Sequence, residues 1–275
     1  MKITLRDVLN IDYESAVEAI RQYVEKSIRE AGAREVVMGL SGGVDSSVLL
    51  RLLTEIIGPE KIAVLIMPDT RVTPQEDTLD AIELAEKLGV KYYVVNIDSI
   101  VDSYSIVEFY SPNDKLAIGN LRARIRANLL YYYANKYKAI VAGASDRSEV
   151  LIGYFTKYGD GAADFYPLAC LYKSQVRELG RRLGLPSKIT EKPSAPRLWR
   201  DHTAESELGV PYEVIDVVLY AAFDRNIDPG EIPSVTSVDP GVVEKIIGLH
   251  RMSRHKRRGI IAPELPWLKQ PIREL

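Results

Sequence analysis

The chain has 275 residues, 46% hydrophobic and 27% charged, with a formal net charge of −2 at pH 7, which is the balance of an ordinary globular protein long enough to bury a large core. With no bulk basicity to hold a polyanion, nucleic acid is excluded as a default partner. The single cysteine, Cys170, rules out an internal disulfide, a CxxC redox pair and a cysteine-cluster metal site, and no stretch approaches the roughly 18 apolar residues that span a bilayer, so a cytoplasmic protein with no membrane association is expected.

In chain order, Ala16, Val17, Ile20, Val24 and Ile28 recur at helical spacing and predict an amphipathic helix from Asp12 to Ala31, stopping near Gly32. Three short apolar runs, Glu35 to Leu40, Ile62 to Met67 and Tyr92 to Ile97, read as buried strands. Between them the pattern predicts helices from Ser46 to Ile57 and from Pro74 to Leu88, the second with Thr73 as N-cap and Glu76 completing a capping box. A helix from Ile118 to Tyr137 then leads into a fourth strand, Ala139 to Gly143.

This alternation predicts an α/β fold: a doubly wound parallel sheet with helices on both faces. Such sheets bind ligands at the carboxyl ends of their strands, where Ser41, Pro68-Asp69 and Ala144-Ser145 fall. After Glu149 comes a loop with glycines at 153, 159 and 161, then a helix from Lys173 to Leu183, a proline-punctuated stretch to Trp199, and helices near Pro211–Asp224 and Val238–Met252. The expected organisation over 1–275 is one domain: an N-terminal helix in 1–34, the sheet core in 35–150, and substrate loops with a helical C-terminal elaboration in 151–275.

The segment Ser41-Gly42-Gly43-Val44-Asp45-Ser46-Ser47 carries the clearest chemistry. Two glycines after a strand let backbone approach an anion, the serines add hydroxyls, and the next helix points its free N–H groups into the same space. The segment lacks the lysine and the spacing of a Walker A loop. It has instead Asp45, which would repel a triphosphate unless a cation intervened, so bound Mg²⁺ is expected.

This loop resembles the PP-loop of the ATP pyrophosphatases, which cleave ATP between the α and β phosphates. Three further segments resemble signatures of the NAD synthetase family: Gly119 to Arg124; Ser148-Glu149 with Gly153 to Asp164 and on to Lys173; and His255-Lys256-Arg257. The resemblance implies an adenine nucleotide alpha hydrolase-like fold and an ATP-dependent amidation of deamido-NAD by ammonia, through an adenylate, giving NAD, AMP and pyrophosphate. It implies ATP contacts at Gly39, Leu40, Ser41, Gly42, Gly43, Val44, Asp45, Ser46, Lys173 and Ser194, with Asp45 and Lys173 catalytic and Asp45 and Glu149 as Mg²⁺ ligands. It implies deamido-NAD contacts at Arg124, Lys157, Asp164, His255 and Lys256, and a homodimer. Some 35 residues precede the first strand, too few for a glutaminase domain, so free ammonia is the expected nitrogen source.

The sequence departs from the family pattern twice: Gly143-Ala144 replaces a Gly-Thr pair, and Ala204 replaces an aspartate, leaving the roles of positions 144 and 202–205 open. Arg122, Arg124 and Arg126 read alone as a solvated face, Tyr131 to Tyr133 as packing or a subunit contact, and the basic run Arg251 to Arg258 as surface charge. The rivals are another PP-loop enzyme and a non-catalytic nucleotide-binding protein of the same fold. A lone cysteine argues against the thiolating enzymes, and the intact Asp45, Glu149 and Lys173 argue against a non-catalytic protein.

Overall fold

A computed structural model of the protein describes residues 2–259. Two helices open it, α1 (Leu5–Leu9) and α2 (Tyr13–Ala31). The Asp12 carboxylate accepts the Glu14 and Ser15 amides, both at 3.1 Å, and starts α2; Gly32, at φ +59°, ends it. The five residues of α1 are too few to show a period, which is why the sequence does not announce it.

The strands β1 (Glu35–Gly39), β2 (Ile62–Ile66), β3 (Lys91–Val94) and β4 (Ala139–Ala142) pair in parallel in the order β3-β2-β1-β4. They alternate with α3 (Val44–Ile57), α4 (Gln75–Lys87), α5 (Asp98–Ser103) and α6 (Lys115–Tyr137). Seven helices follow: α7 (Arg147–Ile152), α8 (Lys173–Arg182), α9 (Ser187–Thr190), α10 (Ala204–Leu208), α11 (Tyr212–Leu219), α12 (Ile232–Thr236) and α13 (Pro240–Met252). No helix among the described residues is long and apolar enough to cross a membrane.

Successive residues of β1 serve opposite faces, as a pleated strand requires. Val36 and Met38 join Ile20, Val24, Val48, Leu52 and Val176 of α2, α3 and α8, whereas Val37 joins Val101, Ile118 and Ile125 of α5 and α6. Both faces are therefore covered, and β1 reads as a continuous apolar run. A third apolar cluster unites α10, α11 and α13 through Leu208, Ile215, Val218 and Ile246, with Val8 of α1 and Ile152 of α7 packed into it. The first residues are thereby tied to α12: Ile3 N–H donates to Val235 O at 2.7 Å.

The chain leaves β1 toward β2 and β3, then returns through α6 to add β4 on the other side of β1. The order reverses between β1 and β4, the point at which open parallel sheets form their ligand crevice beyond the carboxyl ends of the strands.

Three local expectations are corrected. The third strand is not buried: β3 lies at the sheet edge with Tyr93 and Val94 exposed, because no further strand covers it among the described residues. The capping box at α4 does not form, since the Thr73 hydroxyl accepts the Asp69 amide and Pro74 takes the cap position. The helix read as running from Pro211 to Asp224 is α-helical only to Leu219 and continues as a wider π-turn over Tyr220–Asp224.

Candidate active site

The phosphate loop joins β1 to α3 at the crevice. Gly42 stands at φ +77°, where a Cβ would come within 2.2 Å of the Asp77 carbonyl oxygen, so the first turn of α4 backs the loop at van der Waals limit. Gly43 caps α3, and its carbonyl accepts the Ser47 hydroxyl at 2.7 Å and the Ser46 hydroxyl at 3.2 Å. Ser46 Oγ also accepts the Ser41 amide at 3.2 Å. The serines thus fold the loop upon itself, leaving the N–H groups of the first turn of α3 open to an anion. Leu40 and Val44 are buried, and the Leu40 amide is bonded to Leu65 O, so the side chains of both belong to the core.

Gly42→Ala is expected to cost about 2 kcal/mol or more in strain and to raise the KM for ATP. Gly43→Ala, at φ −86° with only the movable Ser41 hydroxyl at 3.3 Å, should be much milder. Thermal unfolding and ATP titration of the pair decide this; equal behaviour of the two would contradict the steric reading.

Opposite the loop stands Lys173, fully buried at the start of α8. Its Nζ is 2.7 Å from Asp45 Oδ2, 2.8 Å from Asp146 Oδ2 and 2.7 Å from Glu149 Oε1. The face of Tyr212 lies 5.1 Å from the ammonium. Asp45 comes from the first turn of α3, and Asp146 and Glu149 come from the start of α7, where Asp146 is the N-cap and accepts the Glu149 amide at 2.8 Å. Asp146 is absent from the residues that the family resemblance implies; its signal in the sequence is an acid three residues before Glu149 at a helix start.

Three carboxylates here share one lysine. Burial, opposed by Lys173 and reinforced by the neighbouring acids, pushes the Asp146 carboxyl up to about 6 and lifts Glu149 well above the usual range. For Lys173, burial disfavours the charge, but the three acids outweigh it and keep the ammonium firmly protonated. The ligand atoms of Asp45, Asp146 and Glu149 lie within 4.8 Å of one another, and Asp45 Oδ1 is buried without a hydrogen-bond donor among the described residues. A net negative cluster of hard oxygens with an unsatisfied lone pair fits a divalent cation such as Mg²⁺.

A buried carboxylate braces this centre from behind. Asp216 of α11 accepts the Ser148 hydroxyl at 2.5 Å and the Ser174 amide at 2.8 Å, while Ser148 Oγ accepts the Lys173 amide at 2.9 Å. The helix starts that carry Glu149 and Lys173 are thereby locked together. At the crevice wall, Asp69 is fully buried between Arg71 at 2.8 Å and Arg122 at 2.6 Å, and Arg122 also holds Leu198 O at 2.8 Å. Arg122 is therefore not part of a solvated face, and neither is Arg126, which donates to Met67 O at 2.9 Å.

Burial alone would raise the Asp69 pKa, but hydrogen bonds from Arg71 and Arg122 outweigh it and hold the carboxyl well below the usual range. The ionised form is thus favoured more in the native state than in the unfolded chain, so this stability is present above about pH 4 and is lost as pH falls below it. The melting temperature should drop on acidification below about pH 4, and Arg122→Met should show a shallower drop. Identical acid dependence in the two proteins would contradict this.

The remaining residues implied by the resemblance fall in four places. Arg124 and Lys157 meet at the crevice edge, where Arg124 Nε donates to Lys157 O at 3.3 Å. Asp164 accepts the Val141 amide at 2.8 Å and the Tyr131 hydroxyl at 3.0 Å where its own segment pairs with the outer edge of β4, beside a groove of about 730 Å³ that also involves Tyr23 and Phe165. That groove runs toward the amino end of β4, away from Lys173. His255 is exposed, whereas Lys256 Nζ donates to Gly153 O and Phe155 O, both at 2.8 Å, and so anchors the glycine-rich loop. Ser194 Oγ accepts Arg177 at 3.3 Å.

Position 204 is also explained in part. Ala204 packs into the third apolar cluster, where an aspartate would be buried without a partner. Beside it, His202 is buried under Trp199, with ring centroids 3.6 Å apart, and its Nε2 lies 2.8 Å from Glu207, which also accepts Tyr154 OH at 2.6 Å. Ala144 packs against the sheet core.

Comparison with known proteins gives the family. The family model described as NAD synthase matches residues 16–259. An NH(3)-dependent NAD(+) synthetase of Staphylothermus marinus is 56% identical over 275 residues, covering 100% of both chains. Among solved structures, an NMN synthetase from Francisella tularensis superimposes with TM-score 0.81 at 33% identity, covering 93% of this chain and 100% of that one. An NH3-dependent NAD synthetase from Campylobacter jejuni gives TM-score 0.77 at 27% identity over 92% and 100%. A family model that matches nearly the whole chain, with a relative 56% identical from end to end, makes this chain a member of the NAD synthase family.

Proposed function

We propose that the protein is an ammonia-dependent NAD synthetase, joining ammonia to the nicotinate carboxylate of deamido-NAD with ATP and releasing NAD, AMP and pyrophosphate. The observation that carries this reading is the grouping of Asp45, Asp146, Glu149 and Lys173 directly beside the phosphate loop. The similarity of the whole chain to the Staphylothermus marinus NAD synthetase supports the substrate assignment.

Asp45, Asp146 and Glu149 would hold Mg²⁺, which when bound neutralises triphosphate charge. The first-turn N–H groups of α3 bind and orient the phosphates. A carboxylate oxygen of deamido-NAD then bonds to the α-phosphorus as the bond from that phosphorus to the bridging oxygen breaks and pyrophosphate leaves. Ammonia attacks the acyl carbon of the adenylate, AMP departs with the former carboxylate oxygen, and the nitrogen releases one proton. Lys173, kept charged by its three acids, is the cation nearest the loop on this side and steadies the developing charge.

Arg124 and Lys157 present exposed and half-buried cations for the substrate's pyrophosphate, with His255 beside the loop that Lys256 anchors. By the same family resemblance Asp164 would bind a hydroxyl of the substrate's ribose, and Ser194 would offer its hydroxyl to ATP. A homodimer is consistent with the exposed Tyr132, Phe109 and Leu116 on and before α6.

One experiment tests the adenylate. With ¹⁸O in the nicotinate carboxylate, one labelled oxygen should appear in the phosphate of AMP; unlabelled AMP would contradict the reading.

A further inference from the structure

Lys192 lies against the outer side of the phosphate loop and has no part in the chemistry above. Its side chain is 14% exposed, and its Nζ sits 2.9 Å from Asp77 Oδ1, 2.6 Å from Asp80 Oδ2 and 3.3 Å from the carbonyl oxygen of Gly42. Asp77 and Asp80 are three residues apart on α4 and so share one face of it. They also hold Arg197 at 3.0 Å and Lys188 at 2.8 Å, which fastens the segment from α9 to Arg197 onto the first turns of α4.

The two aspartates already balance the ammonium, so its third contact serves geometry rather than charge. The peptide between Gly42 and Gly43 is trans, and its C=O and N–H point in opposite directions. Fixing the oxygen on Lys192 turns the Gly43 N–H toward the opposite, concave side of the loop. There it makes only a 3.3 Å bond to Ser41 Oγ, which a phosphate oxygen can replace. A cation on the carbonyl also polarises the peptide and makes that N–H a better donor. Gly42 cannot adjust by moving toward α4, because the Asp77 carbonyl already fills that space. On the other side of the loop Lys173 is enclosed by three acids, so peptide donors carry much of the grip on the leaving pyrophosphate.

We propose that Lys192 is a positioning residue of the phosphate loop: clamped by Asp77 and Asp80, it holds the Gly42–Gly43 peptide with the Gly43 N–H aimed at the bound triphosphate and at departing pyrophosphate. This rests on reading the loop as a phosphate cradle, but not on the identity of the amidated substrate.

The test uses pyrophosphate with Mg²⁺ as the probe, titrated by calorimetry into the full-length wild type, Lys192→Met and Lys192→Arg, together with steady-state kinetics. Lys192→Met should weaken pyrophosphate binding and raise the KM for ATP, each by about tenfold, and leave the KM for deamido-NAD within about twofold. Lys192→Arg, which keeps a donor within reach of the carbonyl, should recover part of both. If Lys192→Met does not fold, the double variant Lys192→Met with Asp80→Asn removes one cation and one anion together and should show the same two changes. Unchanged pyrophosphate affinity and KM for ATP would overturn the proposal. So would a lower melting temperature with both substrate KM values rising equally, the mark of a merely structural lysine. A wild type that binds pyrophosphate but makes no NAD would refute the proposed substrate and leave the Lys192 comparison intact. A wild type that does not bind pyrophosphate would overturn the phosphate-cradle reading and the proposal with it.

Discussion

Lys173→Met is expected to abolish NAD formation and to destabilise the fold by about 3–5 kcal/mol in the absence of Mg²⁺. The lysine is fully buried and is the only cation that Asp45, Asp146 and Glu149 have in direct contact among the described residues. Methionine fills similar volume but leaves three acids facing one another in a poorly solvated site. Protonation relieves part of the repulsion, as the raised positions of Asp146 and Glu149 already indicate. Millimolar Mg²⁺ should therefore restore stability to the variant more than it adds to the wild type, because a cation that binds only the folded state stabilises by mass action. Thermal unfolding with and without Mg²⁺ measures this. A variant as stable as the wild type without metal, or one indifferent to metal, would show that the three acids do not form one electrostatic unit.

Asp45→Asn should give the complementary result: kcat/KM for ATP falls by about 100- to 1,000-fold while the fold persists. Asparagine has the same shape, the Asp45 side chain is about one-fifth exposed, and Lys173 keeps Asp146 and Glu149. What is lost is an anionic oxygen, Oδ1, that has no hydrogen-bond donor among the described residues. Circular dichroism and the melting temperature should change little, whereas the Mg²⁺ concentration needed for half-maximal activity should rise. Near-normal turnover at ordinary Mg²⁺ would remove Asp45 from the metal site.

The contrast between the two variants follows from burial, and burial also explains what the sequence discloses. Strand runs such as Ile62–Ile66 and the helix bounded by Asp12 and Gly32 are legible because local chemistry and tertiary role agree. The phosphate loop is legible for the same reason: Gly42 must be glycine for its backbone angle and for the contact with Asp77. The exposure of β3 is not legible, because its Tyr-Tyr-Val-Val run has strand propensity wherever it sits in the sheet.

The site is less legible than the fold. Asp45 and Glu149 stand out in recognisable segments, but Asp146 looks like an ordinary helix cap until the fold brings its second oxygen to Lys173. Asp216 and Lys192 act across 42 and 150 residues of sequence, on Ser174 and Gly42, and no local pattern reports such contacts. The arginines on α6 mislead for a related reason: spacing predicts a charged face, but Asp69 at the end of β2 draws Arg122 inward. Ala204 departs from the family pattern because in this chain the position faces an apolar cluster.

The most direct test of the proposed reaction is a product analysis of the purified protein incubated with ATP, Mg²⁺, ammonium and deamido-NAD, with nicotinate mononucleotide in a parallel reaction because one solved relative is an NMN synthetase. NAD, AMP and pyrophosphate are expected in equal amounts, with the dinucleotide preferred over the mononucleotide. Appearance of ADP in place of AMP, or amidation of the mononucleotide alone, would contradict that reaction.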